Sequence, residues 1–264
     1  MDLQLKNKLA LITGSTAGIG YAIAKQLAHE GAKVIVNGRT RQRVDEAVKS
    51  IIETTGNQQV KGIIADFGNK AQINDLLAEI PEVDILINNV AIFEPKAFAE
   101  ISDEDWLRFY EINVLSGVRL SRVYFDKMLK KNWGRIIFIS SESAVQIPEE
   151  MIHYGMTKTA QIAIARGLAE LTKGSNVTVN SVLPGPTLSE GVGGFIENLA
   201  KDQSKTVEQV ETDFFKTMRP TSLIQRFLST DEVANMVTYL ASPLASATNG
   251  AAVRAEGGLL KGAF

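Results

Sequence analysis

The chain has 264 residues, 45% of them hydrophobic and 22% charged, so it carries enough apolar side chain for a large core and is not a disordered polymer. Its formal net charge of −2 supplies no global positive field for nucleic acid or anionic lipid, although local basic clusters can still meet phosphates. With no cysteine it has no disulfide or thiolate chemistry, as suits a reducing cytoplasm, and His29 and His153 lie too far apart to suggest a metal site, each reading as a helix-surface residue.

The opening MDLQLKNKLALITG lacks the pattern of a secretory signal, and no run approaches the roughly 18 apolar residues of a membrane span, so a soluble cytoplasmic protein is expected. Leu9 to Thr13 reads as a buried strand that ends at a glycine and feeds a helix over Ile19 to Ala28. The unit then repeats. Val34 to Val36 is a strand, Arg41 to Thr54 a helix, Val60 to Ala65 a strand, Ala71 to Ile80 a helix and Ile85 to Ile87 a strand. Ser102, followed by three acids, caps a long helix reaching about Lys131. Arg135 to Ile139, a helix from about His153 to Thr172, and Val177 to Val182 follow, the last stopping at Pro184 and Gly185. Ser229 or Thr230 caps a helix through Leu240, and Ala251 to Arg254 forms a final strand.

Strands alternating with helices imply parallel strands joined by right-handed crossovers, hence a doubly wound α/β sheet of about seven strands in a single domain spanning 1–264. The region near 188–225 breaks the alternation, with glycines at 191, 193 and 194 and then helical patterns; it is expected to be a helical lid inserted at the sheet's carboxyl edge.

Gly14, Gly18 and Gly20 fall directly after the first strand, at the start of a helix. Glycine there lets the backbone approach a pyrophosphate while the helix amides face its charge. Some 20 residues on, where an acid would bind a ribose 2′-hydroxyl, the chain has Asn37, Gly38, Arg39 and Thr40, with Arg41 and Arg43 close behind. A guanidinium in place of a carboxylate favours a 2′-phosphate, hence NADP(H) over NAD(H); a solvated basic helix start is the plainer reading of Arg41 and Arg43. Tyr154 and Lys158, four apart on one helix face, can meet, and an ammonium beside a phenol stabilises tyrosinate and lowers the phenol's pKa.

Thr13 to Gly20 (TGSTAGIG), Asn88 to Ala91 (NNVA), Asn113, Ser141, Tyr154 with Lys158 (YGMTK) and Pro184 with Gly185 occur in one order and spacing. In these motifs the chain resembles the short-chain dehydrogenase/reductase family of Rossmann-like enzymes over nearly its whole length, apart from the region around 188–225. The resemblance implies a hydride transfer between a nicotinamide and a carbonyl or alcohol. It casts Tyr154 as general acid/base, Lys158 as its partner and ribose ligand, Ser141 as the donor to the substrate oxygen, and Asn113 as a distortion of the long helix that holds a relay water. It assigns the cofactor to Gly14, Ser15, Thr16, Gly18, Ile19, Gly20 and Arg39, to Asp66, Phe67, Asn89 and Ala91, to Tyr154 and Lys158, and to Pro184, Gly185 and Thr187. Ser143 is the alternative to Ser141, and Ser140 reads as a hydroxyl bonded to local backbone.

Two positions depart from the family pattern: Ala91 stands where a glycine usually follows Asn-Asn-Ala, and Ala144 where a glycine usually lies three beyond the serine. Phe93, Ile147, Met151, Phe195 and Ile196 suggest an apolar mouth. The leading expectation is an NADPH-dependent ketone reductase resembling the 3-oxoacyl reductases, acting on a small carbonyl or alcohol and, like its family, assembled as a homo-oligomer. The other reading is a sensor that binds NADP(H) without turnover; all four residues of the catalytic set are present, which argues against it.

Overall fold

The computed structural model describes residues 1–263 and, of Phe195, the backbone alone. Seven parallel strands form one sheet in the order β3-β2-β1-β4-β5-β6-β7: β1 Leu9–Ile12, β2 Lys33–Gly38, β3 Val60–Ile64, β4 Ile85–Asn88, β5 Gly134–Ile139, β6 Val177–Pro184 and β7 Ala252–Ala255. The central strands are buried on both faces, which is why they read as continuous apolar runs and not as alternating ones. Helices α1 (Gly18–His29), α2 (Arg41–Thr55) and α9 (Thr230–Ala241) cover one face, where Ile23, Leu27, Val34, Ile85, Val237 and Leu240 share a core. The other face lies under α3 (Lys70–Glu79), the long helix between β4 and β5, and α6 (Ile152–Glu170), with Leu11, Leu86, Leu120, Tyr124 and Phe138 at its centre. Strand order reverses between β1 and β4, leaving a crevice at their carboxyl ends.

Ser102 caps the long helix as expected, its side chain accepting from the Asp105 amide at 3.2 Å. The helix is not regular throughout. It runs as α4 (Asp103–Tyr110), a π-helical turn over Glu111–Leu115, and α5 (Ser116–Lys131). The extra residue in that turn aims Asn113 inward, where the residue is buried. At α9, Ser229 and not Thr230 is the cap, in a reciprocal box with Glu232.

The 188–225 region contains α7 (Glu190–Asp202), capped by Ser189, and α8 (Val207–Thr217), opened by a capping box of Thr206 and Gln209. These helices have a small core of their own in Ile196, Ala200, Val210, Phe215 and Phe227. The segment's two roots are tied together: Leu188 N–H donates to Leu228 O, and Leu228 N–H to Pro186 O, each at 2.8 Å. Ile196 therefore packs within this segment and does not line a mouth; Phe195's side chain lies outside the described residues.

His153 corrects the surface reading. It is fully buried, 4.0 Å between ring centroids from Phe109 and 6.0 Å from Trp106, and neither ring nitrogen has a hydrogen-bond partner. Burial lowers its pKa from the ordinary 6.5, with Asp105 and Glu94 opposing. Below about pH 6.5 the unfolded chain therefore binds more protons than the folded one, and stability falls as pH drops through that window. The wild type should lose Tm from about pH 7 to about pH 5.5 in a thermal melt, and replacing His153 with Leu should flatten that loss. An equal loss in both proteins would contradict this account.

Candidate active site

The crevice between β1 and β4 opens into a groove of about 900 Å³ whose walls include Gly14, Thr16, Gly18, Ile19, Gly20, Arg39, Asp66, Phe67, Asn89 and Ala91. Ten of the cofactor positions expected from sequence thus converge. Helix α1 begins at Gly18 with Ala17 as an N-cap that offers no side-chain acceptor, and its first turn has no acid. Its leading amides are left for an anionic ligand, and the dipole points the same way. A Cβ at Gly20 would collide with the Gly14 carbonyl oxygen and the Asn89 amide, so the loop and helix pack this closely only with glycine there. These features fit a dinucleotide pyrophosphate.

Buried side chains hold the loop in place. Ser15 is completely buried; its hydroxyl donates to Ile12 O at 2.7 Å and accepts from Asn37 N–H at 2.9 Å, while its own amide donates to Asn37 O. Both of its donors are committed within the loop, so the reading of Ser15 as a cofactor ligand gives way to a role in loop architecture. Asn37 accepts from Gly14 N–H at 2.9 Å and donates to Ala65 O at 3.2 Å, stitching β1, β2 and β3 together. Thr13 Oγ1 accepts from the amides of Asn89 and Val90, and Asn89 Nδ2 donates to the carbonyls of Thr13 and Gly14. The branched Val90 side chain fills the space in front of Gly14, where a Cβ would sit 2.9 Å from its Cγ2.

At the expected adenosine ribose position, Arg39 and Arg43 line the groove, whereas Arg41 is exposed and pairs with Asp45 at 3.8 Å. Arg43 also reaches Glu190 at the start of α7, 2.6 Å away. A side chain at Gly38 has no room: its Cβ would lie 2.5 Å from Thr16 Cγ2 and 2.9 Å from Val44 Cγ2. Pro184, Gly185 and Thr187 are not among the groove's walls: Gly185 passes the Glu256 backbone with 2.7 Å left for a Cβ, and the Thr187 hydroxyl donates to Gly185 O at 2.9 Å.

Ser141, Tyr154 and Lys158 come together where β5 ends and α6 begins. Ser141 opens a 3₁₀ turn over Glu142–Ala144, and its hydroxyl accepts from the Ser143 amide at 3.1 Å and donates to the Glu142 carboxylate. Ser143 turns to Glu142 as well, its hydroxyl donating to that carboxylate at 2.8 Å. Ser140 donates to Lys158 O at 2.8 Å, a backbone bond as expected but across to α6 and not local. Burial and the nearby Glu142 carboxylate push the Tyr154 phenol up, against the Ser141 hydroxyl, which lowers it. The expected lowering by Lys158 is not what the geometry gives. Lys158 Nζ donates to Ile139 O at 2.9 Å and lies 5.5 Å from the Tyr154 ring centroid. Burial pushes this buried lysine down to about 7, with Glu142 opposing.

Asn113 sits in the π-helical turn. Its amide accepts from Ile92 N–H at 2.8 Å and donates to Ile92 O at 2.9 Å and to Thr157 Oγ1 at 3.0 Å, pinning the β4 loop to α6. Its carbonyl accepts from Gln161 Nε2 at 2.6 Å, and Gln161 Oε1 faces Lys158 Nζ at 3.5 Å. The side-chain amide of Gln161 thus bridges the two residues that the family resemblance would link by water. Sequence reading did not find Gln161, although its spacing three after Lys158 places both on one helix face. Phe93 lies edge-on to Tyr154 with ring centroids 6.4 Å apart, and Ala144 is buried with its carbonyl accepting from Thr159 Oγ1.

A glycine-cradled groove at a topological switch point, leading to a Tyr–Lys pair with a serine, defines a nicotinamide-nucleotide oxidoreductase. Residues 8–206 match the model of the short chain dehydrogenase family, and the chain belongs to that family. It is 48% identical over 264 residues to the uncharacterized oxidoreductase YvaG of Bacillus subtilis (strain 168), covering 100% of both chains. It is 32% identical over 263 residues to the 3-oxoacyl-[acyl-carrier-protein] reductase FabG of Aquifex aeolicus (strain VF5), covering 98% of this chain and 100% of that one. The structure of L-sorbose reductase from Gluconobacter frateurii, complexed with NADPH and L-sorbose, superposes with a TM-score of 0.91 at 31% identity over 99% of this chain and 100% of that one. The protein is accordingly an NAD(P)-binding oxidoreductase acting on carbonyl or CH–OH groups. Among the described residues no helix is long and apolar enough to cross a membrane.

The crowding at Gly20 makes a direct test. Gly20→Ala should weaken nicotinamide nucleotide binding by at least about tenfold in a fluorescence titration, about 1.4 kcal/mol, while the far-ultraviolet dichroism stays that of the wild type. Undiminished affinity would mean that the groove is not the nucleotide site.

Proposed function

We propose that the protein is an NADPH-dependent carbonyl reductase of the 3-oxoacyl-reductase kind, acting on a small-molecule ketone and, in reverse, on the secondary alcohol. The observation that carries this reading is the Tyr154–Lys158 pair beside Ser141, joined to the nucleotide groove through Phe93, with Arg39 and Arg43 in that groove's wall. Bound NADPH supplies the hydride. As charge develops on the substrate oxygen, Tyr154, held in its phenol form, gives up its proton, and Ser141 orients phenol and substrate oxygen together. Lys158, titrating near neutrality, exchanges a proton with the site without leaving its bonds to Ile139 and Gln161. Asn113 is a positioning residue that locks the β4 loop against α6.

The preference for NADPH rests on charge and space: two guanidiniums flank the expected ribose position, and Gly38 leaves no room for the acid that would read a 2′-hydroxyl. The named activity of the Aquifex relative and the NADPH in the sorbose reductase complex agree with it. Phe93 beside Tyr154 and the exposed Ile147 favour a partly apolar substrate at the mouth. We read the whole chain, 1–264, as one catalytic domain with 188–225 as its lid, rooted at Thr187 and Leu228 and reaching the site through Glu190 and Arg219. The family habit of pairing the long helices between subunits, with Leu107 and Leu171 exposed here, supports a homo-oligomer, and a cysteine-free chain suits the cytoplasm.

Removing one charge-assisted phosphate contact costs about 1.5–3 kcal/mol, so Arg39→Ala should weaken NADPH about 10- to 100-fold and leave NADH nearly unchanged, by calorimetric titration. Equal losses for both nucleotides would point to a contact other than the 2′-phosphate. On a ketone panel, Tyr154→Phe should lower kcat by about 10²–10⁴ with NADPH affinity kept. Nucleotide binding without wild-type turnover of any ketone would favour the sensor.

A further inference from the structure

Glu142 is a buried carboxylate next to the active-site serine that none of the roles above uses. One of its oxygens accepts from the Ser141 hydroxyl, the Ser143 amide and the Ser143 hydroxyl; the other accepts from Arg219 Nε at 3.2 Å. Arg219 follows α8, so the partner comes from the 188–225 segment, 77 positions along the chain. Its side chain is nearly buried as well, stacked 5.8 Å over the Phe214 ring, donating to Met218 O at 2.9 Å and lying 3.6 Å from the half-buried Glu150. Taking a carboxylate out of water is costly until its partners repay it, so a purely structural ion pair would be better placed at the surface.

We propose that Glu142 is a positioning residue for the reaction: clamped by Arg219, it accepts from the Ser141 hydroxyl and sets a buried carboxylate beside the Tyr154–Lys158 pair. The inference rests on the reductase reading and deepens it. By accepting from Ser141, Glu142 fixes the rotamer in which that hydroxyl is presented to the site. The carboxylate's field acts in the same sense on both neighbours, raising the proton affinity of the phenol and opposing the burial that strips Lys158 of its charge. A site held in this form is set to donate a proton, which is the direction of carbonyl reduction. The charged and titratable groups facing Glu142 are Tyr154 and Lys158 from α6, Arg219 from the segment after α8, and Glu150 through Arg219.

The test is the titration of Lys158 itself, followed by NMR in protein carrying ¹³C-labelled lysine and assigned by its disappearance in Lys158→Met. In Glu142→Gln, which keeps the shape but not the charge, the Lys158 midpoint should fall by about one pH unit, a tenfold loss of proton affinity. The double variant Glu142→Gln with Arg219→Gln leaves no lone buried charge and serves if the single variant does not fold; its net charge around Lys158 is nearly unaltered, so its midpoint should lie between the other two. With a ketone that the wild type reduces, the alkaline fall in kcat should move to lower pH in Glu142→Gln. An unchanged Lys158 midpoint in Glu142→Gln overturns the proposal. The NMR measurement needs neither substrate nor nucleotide, so a protein that reduces no ketone would sink the reductase reading without touching this result.

Discussion

Where parallel strands end, their last amides and carbonyls face a crevice with too few neighbours, and each group left unpaired there costs about 1–3 kcal/mol. This constraint organises the carboxyl edge of the sheet. Thr13, Ser15, Asn37 and Asn89 pair the loose ends of β1, β2 and β4, and in doing so fix the glycine loop at a spacing that leaves the α1 amides free. The same need on the other side of the crevice is met by Asn113, Ser140 and Gln161, which bind the π-helical turn, β5 and α6 into one unit. The groove for the nucleotide and the platform for Tyr154 and Lys158 are two outcomes of one buried polar network.

Within that network Tyr154 and Lys158 are held by opposing forces. Burial disfavours the charged form of every group it covers, so it raises the Tyr154 phenol and lowers the Lys158 ammonium, bringing the lysine close to neutrality. Hydrogen bonds then select partners: the lysine goes to a strand carbonyl, the serine to Glu142. The phenol is therefore a guarded acid, and Arg43–Glu190 and Arg219–Glu142 place the α7–α8 segment in contact with both halves of the site.

Much of this was legible in the sequence, and the gaps have physical reasons. The strand and helix alternation, the glycine loop and the caps at Ser102 and Ser229 are local signals, set by spacing within a few residues. The distortion at Asn113 was implied by the family resemblance alone and not by the apolar pattern, because the one extra residue of a π-helical turn hardly disturbs the stripe of a helix running from Asp103 to Lys131. His153 misled because nothing local shows which side of α6 is covered: the aromatic rings that bury it come from α4. Ile196 reads alike as pocket wall or helix core until α8 is in place. Glu142 was hidden for the same reason: an acid after a serine looks like turn chemistry until an arginine 77 positions away covers it. Gln161 shares a helix face with Lys158, but its importance depends on the Asn113 carbonyl, 48 residues earlier.

The central claim, that hydride passes between a nucleotide in this groove and a carbonyl beside Tyr154, is tested most directly by isotope transfer. NADPH deuterated on one face of the nicotinamide C4 would be incubated with the protein and a panel of 3-oxoacyl thioesters and keto sugars, and the alcohol products analysed by mass spectrometry and NMR. The account predicts one deuterium at the carbinol carbon, delivered from one face of the nicotinamide only. Alcohol carrying hydrogen from solvent at that carbon, or label delivered equally from both faces, would contradict it.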